Sequence, residues 1–301
     1  TTEIYTLSLH DALPIFPQQD SGTIRRIWAQ KAVVLASGGF CQDVEFRTVQ
    51  DPQLDRSLET TNQPGATAEA MVSALKIGAT PVHLSWIQMG PWTSRDEKGW
   101  GVSAMFSLLV GFPHGIMFDA TTGKRFVNEL TDRLSRSQEM AAAGRDPMLI
   151  VGEEAARLYP NLPQCLKRKV VKRYETIEAV ALDQSIDVAA LAVTLREYNE
   201  SVDHGIDREF GKPLGQDNRY RITPPYYVVR LRPKIHYCNG GLQINARAQV
   251  VDVEHHQPIP GLYAAGEVTG GIHGACRIGG MAICECLVFG RIAGANAAQE
   301  E

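Results

Sequence analysis

Apolar and polar positions along the chain fall into two periods, one of strands and one of helices. Residues 32–36, Ala-Val-Val-Leu-Ala, form an unbroken apolar run closed by Ser37-Gly38-Gly39-Phe40. Such a run predicts a buried parallel strand ending in a turn. Met71, Ala74, Leu75 and Gly78 recur at helical spacing, and Gly78 marks a C-terminal stop. Helical spacing returns at 153–159, 176–182 and 188–202, separated by Pro160, Pro163 and Asp183, with Asp187 placed to cap the last segment. Residues 203–220 read as loop, and 245–260 as a hairpin with His255-His256 at its tip. A short apolar strand at 262–265 then feeds a glycine-rich loop from Gly266 to Gly280 and a helix over 281–298. This order lets backbone approach a bound cofactor. Tight packing explains two or three of the glycines. It does not explain Glu267, His273 and Arg277 set among them.

Composition narrows the class. The chain has 301 residues, 44% of them apolar and 21% charged, as in a soluble globular protein of one large or two ordinary domains. A net charge of −4 gives no reason to propose nucleic acid or an anionic membrane as partner. No uninterrupted apolar run reaches the ~18 residues of a membrane span, so none is expected. The six cysteines include no Cys-x-x-Cys pair and read as free thiols. No metal site is expected.

Three motifs carry a family resemblance. The first is Gly261-Leu-Tyr-Ala-Ala-Gly266-Glu267, continued by Gly270-Gly271-Ile-His273-Gly274, Arg277-Ile-Gly279-Gly280 and Phe289-Gly290-Arg291-Ile-Ala-Gly294. The second is Gly123-Lys-Arg125-Phe-Val-Asn-Glu129, followed by Arg133. The third is His236-Tyr-Cys-Asn-Gly240-Gly241. Together they resemble the fumarate reductase/succinate dehydrogenase flavoprotein family, in its soluble flavocytochrome-like branch. The resemblance implies an α/β fold with an α+β cap: an incomplete Rossmann-like FAD-binding domain interrupted by an inserted capping domain. Residues 17–86 and 236–301 are the two parts of the FAD-binding domain, and 87–235 are the cap.

The same resemblance assigns roles. FAD is the cofactor, contacted by Ser37, Gly38, Gly39, Gly240, Gly241, Gly266, Glu267 and His273, with the first-turn N–H groups of Ala282 and Ile283 at the flavin C2 carbonyl. The helix N-terminus, carrying about +0.5 e, favours the anionic reduced flavin. Arg133 is the proton donor to the substrate carbon, with Glu129 and Asp132 as candidate relay groups. His236 and Arg277 hold the substrate's electron-withdrawing oxygen, and the arginine fork suits a carboxylate. Arg125 and Arg136 read as structural. The electron donor is a reduced cytochrome, a quinol-linked or an NADH-linked partner.

Departures from the family shape the substrate expectation. Gly90, in Gln88-Met-Gly90-Pro-Trp92, stands where fumarate-reducing members carry histidine, and 103–110 lacks their Thr-Glu pair. The expectation is a larger, more apolar pocket, for an unsaturated acid or enone bulkier than fumarate. A 3-ketosteroid-type dehydrogenase and a non-catalytic flavin-binding relative are the alternatives. No Gly-x-Gly-x-x-Gly follows a strand. Residues 1–15 back-translate without a break into a short-read sequencing adapter. Residues 1–16 are therefore read as an artefact, with the dinucleotide fingerprint and any export signal expected upstream. Localisation stays open.

Overall fold

A computed structural model describes residues 28–143 and 147–300; the stretch read as an artefact lies outside them. The chain forms two compact units. One comprises Thr1–Ser57, Gln63–Gln88 and Tyr237–Glu301, and the other Leu58–Asn62 and Met89–His236. Helices and strands are mixed in both, as an α/β fold requires.

The first unit is organised by a parallel strand pair. Val33–Leu35 runs alongside Pro258–Ala264, with Val33 opposite Leu262 and Leu35 opposite Ala264. Gln249–Val251 adds antiparallel on the far side. Parallel strands place their carboxyl ends together, so the Ser37-Gly38-Gly39 turn and the Gly266-Glu267 loop emerge side by side. The Ala265 N–H donates to the Leu35 carbonyl at 3.0 Å. Ligands of such sheets bind beyond these ends. Glu69–Lys76 is a helix with Met71 and Ala74 buried, and Gly78 follows it at φ 96°, the expected stop.

Tyr263, Ala265 and Ala248 pack on Ala293 and seat the helix Met281–Ala298. Its bounds are those the glycine-to-helix pattern predicts. Its eighteen residues have mean hydropathy 1.3, enough to cross a membrane by length and composition. Counting uninterrupted apolar residues misses this, because Glu285 and Arg291 break the run without lowering the average enough. Only 11% of this stretch is buried, but Glu285 is, and its carboxylate is hydrogen-bonded within this unit.

The second unit holds a four-stranded antiparallel sheet in the order Ile116–Phe118, Met148–Gly152, Tyr226–Arg230, Lys172–Tyr174. Alternate residues enter two cores. Met117, Leu149, Val151 and Val229 join Trp92, Phe106 and Phe112. Ile116, Phe118, Ile150 and Val228 join Val180, Leu191 and Leu195. Both faces are covered, so Met148–Gly152 is buried throughout and shows no alternation. Asp187 caps Val188–His204 through the Ala189 and Ala190 N–H groups, and Thr176 caps Ile177–Gln184. The helix expected at 153–159 stops at Ala156. Pro160, with no N–H to donate, cannot extend it.

Residues 104–114 are helical throughout, with a π-turn at Ser107–Gly111. Pro113 lacks the N–H that an α-turn would aim at the Leu109 carbonyl, and the helix widens there. Phe106 and Val110 enter the core, while Met105 and Leu109 are exposed.

Candidate active site

In the first unit the candidate cofactor residues gather at the carboxyl ends of the parallel pair. Gly38 sits at φ 78° with open space where a Cβ would stand. A Cβ on Gly39 would lie 2.4 Å from Glu267 Oε1, so glycine there is what lets the carboxylate approach. Glu267 Oε1 accepts the Cys238 N–H at 2.8 Å. Burial pushes the Glu267 carboxyl up to about 7, only partly countered by that hydrogen bond and by Arg277. Gly240 and Gly241 face their own chain. Added Cβ atoms would strike the His83 carbonyl oxygen at 2.0 Å and the Val268 carbonyl oxygen at 2.3 Å. Packing alone thus requires these two glycines. Gly266 takes φ 77°.

The loop before the C-terminal helix is held by Glu285, a residue the sequence reading passed over. Its Oε2 accepts from the Tyr237 hydroxyl at 2.7 Å and from His273 Nε2 at 2.7 Å, and the Thr269 hydroxyl lies 3.0 Å from Oε1. Burial and the bond to Glu285 push the Tyr237 phenol well above its usual range. The Arg277 guanidinium lies 4.0 Å over the Tyr237 ring. Its backbone N–H donates to Gln88 Oε1 at 2.7 Å, and Asn239 Nδ2 donates to the Ala275 carbonyl at 2.9 Å. In the first helical turn the Ile283 N–H donates to Gly280, a partner inside the turn itself.

Among the buried polar atoms of this unit that have no protein partner are Arg277 Nε, Gln88 Nε2 and Asn239 Oδ1. Two donors and an acceptor left orphaned in this way call for a polar ligand. Gly38, Gly274 and Gly280, each left-handed and open on its Cβ side, leave bare backbone for a flat ring to approach. These residues fit FAD.

The second unit brings Arg133 and His236 to one side chain, Trp92. The Arg133 guanidinium lies 4.5 Å over the Trp92 ring, and His236 meets it edge-on at 5.0 Å. Thr61 Oγ1 lies 2.8 Å from His236 Nδ1, and Asn62 Nδ2 donates to the His236 carbonyl, fixing the residue by ring and backbone. Trp92 is fully buried, and its indole N–H has no partner. Arg133 opens the helix Arg133–Ala142, capped by Asp132 through Leu134 and Ser135 N–H. The helix dipole at that end opposes a cation.

Gly90 does not leave a void. A Cβ there would meet the Trp92 ring at 3.2 Å and His236 Cβ at 3.4 Å. The indole takes the space that a side chain at position 90 would need, so the larger pocket expected from the loss of histidine is not found at this position.

The suggested proton relay is also redrawn. Glu129 is fully buried and accepts from Arg125 Nε at 2.9 Å, Arg125 Nη2 at 2.7 Å and the Met117 N–H at 2.9 Å. Lys212 Nζ lies 3.3 Å away, and Asp207 pairs with Arg125 at 2.8 Å. Glu129 thus anchors a buried ion cluster, and Asp132 serves as a helix cap. Arg136 is buried against Phe112, its guanidinium 4.2 Å from the ring, in keeping with a structural role.

Comparison with known proteins follows the same lines. The family described as FAD binding domain matches residues 6–283. An acrylate reductase flavoprotein subunit of Shewanella woodyi is 43% identical over 92% of this chain and 56% of its own. A probable fumarate reductase of Shewanella frigidimarina is 35% identical over 89% of this chain and 44% of its own. The chain spans about half the length of these curated relatives. Among solved structures, the open conformation of a flavocytochrome c3 fumarate reductase superposes with a TM-score of 0.69 at 33% identity, covering 89% of this chain and 46% of that one.

Proposed function

This chain belongs to the FAD-binding-domain family, among the fumarate reductase-like flavoproteins, and from that premise we propose that it serves to reduce the C=C bond of an α,β-unsaturated monocarboxylic acid. The observation that carries the reading is the cluster of Arg133, Trp92 and His236, with a buried indole N–H left without a partner. FAD, when bound, supplies the hydride. Gly38, Gly39, Gly266, Glu267, His273, Gln88 and Asn239 are the residues that would hold it.

Arg133 protonates the substrate carbon. Guanidinium is a weak acid, with a free pKa above ~12, so it must be positioned and reloaded rather than left ionised differently after each turnover. Contact with the face of Trp92 gives it a fixed place. His236, oriented by Thr61, donates to the carboxylate or carbonyl oxygen that gains charge. The Trp92 N–H adds a neutral donor to the same acid group. Arg277 keeps its assignment as a carboxylate-binding candidate on the first unit.

A dicarboxylate asks for a second charged anchor. Gly90 and the apolar 103–110 stretch offer none, and Trp92 takes up the room beside Gly90. The acrylate-reducing relative agrees with a small monocarboxylate. Relatives named for a cytochrome and for NADH both match the chain, and a reduced cytochrome or an NADH-linked partner is the donor class they support. The ketosteroid reading needs a tyrosine that releases its proton. Tyr237, buried and bonded to Glu285, holds its proton tightly.

The test is turnover of the FAD-loaded protein with reduced viologen on acrylate, fumarate and cinnamate. A kcat/KM highest on acrylate supports the reading. Fumarate as the best substrate overturns the argument from Gly90, and cinnamate as the best overturns the argument from Trp92.

A further inference from the structure

Two cysteines distant in sequence meet beneath the turn after the first strand. Cys41 Sγ and Cys238 Sγ lie 3.4 Å apart, and both residues are fully buried. Glu267 completes the group: its carboxylate and the two sulfurs all lie within 4.8 Å of one another. In a tetrahedral zinc site, Zn–S bonds of ~2.3 Å and Zn–O bonds of ~2.0–2.2 Å put ligand atoms roughly 3.5–3.8 Å apart. The three atoms here need only sub-ångström to one-ångström adjustments to reach that spacing.

The surroundings support the ligands. The Phe40 N–H donates to Cys238 Sγ at 3.2 Å, and the Cys238 N–H donates to Glu267 Oε1. Such outer contacts orient sulfur and carboxylate. The one guanidinium close to Cys41 among the described residues, that of Arg47, donates to the Cys41 carbonyl, to Leu54 and to Asp55. Three protein ligands leave a fourth position for water or an added ligand. Soft sulfur selects a thiophilic ion over magnesium or calcium.

We infer that Cys41, Cys238 and Glu267 form a binding site for one thiophilic divalent cation of the zinc class. The inference does not rest on the reductase reading and concerns the chain free of FAD, because Glu267 is also among the residues that would hold that cofactor.

The experiment titrates the reduced, metal-free chain anaerobically with Cd²⁺ in the presence of a competing chelator, following the thiolate-to-cadmium absorbance. One equivalent is expected. Cys41→Ser and Cys238→Ser each lower the affinity at least about tenfold, and Glu267→Gln lowers it less. The double variant Cys284→Ser, Cys286→Ser, which removes two exposed thiols, leaves it unchanged. Should the buried serine variants fail to fold by circular dichroism, alkylation of the wild-type chain decides: bound Cd²⁺ must protect Cys41 and Cys238 specifically. Binding that survives either serine variant overturns the inference. So does protection mapped to other cysteines, no absorbance change, or an intact mass two hydrogens lower with the two cysteines linked.

Discussion

The Arg133 guanidinium rests 4.5 Å over the ring of Trp92, and His236 meets the same ring edge-on at 5.0 Å. One indole therefore fixes the spacing of the two groups assigned to proton delivery and charge stabilisation. It does so from inside a core, where Trp92 packs with Phe106, Phe112 and Met117.

Arg133→Lys keeps a cation but loses the planar fork that lies on the indole. In the FAD-loaded protein, kcat on acrylate should fall by roughly 10²–10⁴, the range for loss of a positioned general acid. The circular dichroism spectrum should be unchanged. Turnover that survives the substitution removes Arg133 from the mechanism.

Trp92→Phe tests the indole N–H by itself. Removing that N–H leaves no partner unsatisfied, but the smaller ring opens a cavity in the core, so the melting temperature should fall by a few degrees. The aromatic face under Arg133 remains. A hydrogen bond to a charged acid is worth about 1.5–3 kcal/mol, so KM for acrylate should rise roughly ten- to a hundredfold with kcat less affected. An unchanged KM would show that the donor does not meet substrate.

Glu285 is a stability prediction. Glu285→Ala leaves the Tyr237 hydroxyl and the His273 ring without their shared acceptor. Each unsatisfied buried donor costs about 1–3 kcal/mol. Thr269 keeps the Gly266 carbonyl at 2.8 Å and adds little. Urea unfolding should show a loss on the order of 2–4 kcal/mol, and Glu285→Gln, which retains one acceptor, a smaller one.

The buried Lys212 gives a pH signature. Burial, only partly offset by Glu129, pulls its ammonium down from 10.5 to about 8. Between these values the unfolded chain holds the proton and the folded chain has released it. Stability from this group must therefore rise with pH across that window and be absent below it. From about pH 8 to about pH 10 the wild type should gain on the order of 2 kcal/mol relative to Lys212→Met. Parallel curves for the two proteins in urea would contradict the assignment.

Local signals were legible in the sequence, and long-range ones were not. Gly280 announced the C-terminal helix, Asp187 the helix it caps, and Gly78 a stop, because caps and left-handed glycines act within a few residues. The three motifs led to the cofactor class, since loop spacing survives in a linear string. The meeting of Cys41 with Cys238, 197 positions apart, has no such local mark. Nor does the joining of Arg125 to Asp207 and of Glu129 to Lys212, which only the folding of the second unit brings about. The space beside Gly90 was misjudged for a related reason. Loss of a side chain reads as an opening until the neighbour that leans into it, Trp92, is seen.

The C-terminal helix presents Ile283, Leu287 and Val288 to water, with exposures of 67%, 69% and 52%. An oily ridge of this kind is poorly wetted, and salts excluded from protein surfaces raise the penalty for keeping it wet. Preparations of this chain should therefore scatter more light as concentration or ammonium sulfate rises, well before urea loosens the fold. Leu287→Lys should delay that clouding without touching the buried side of the helix.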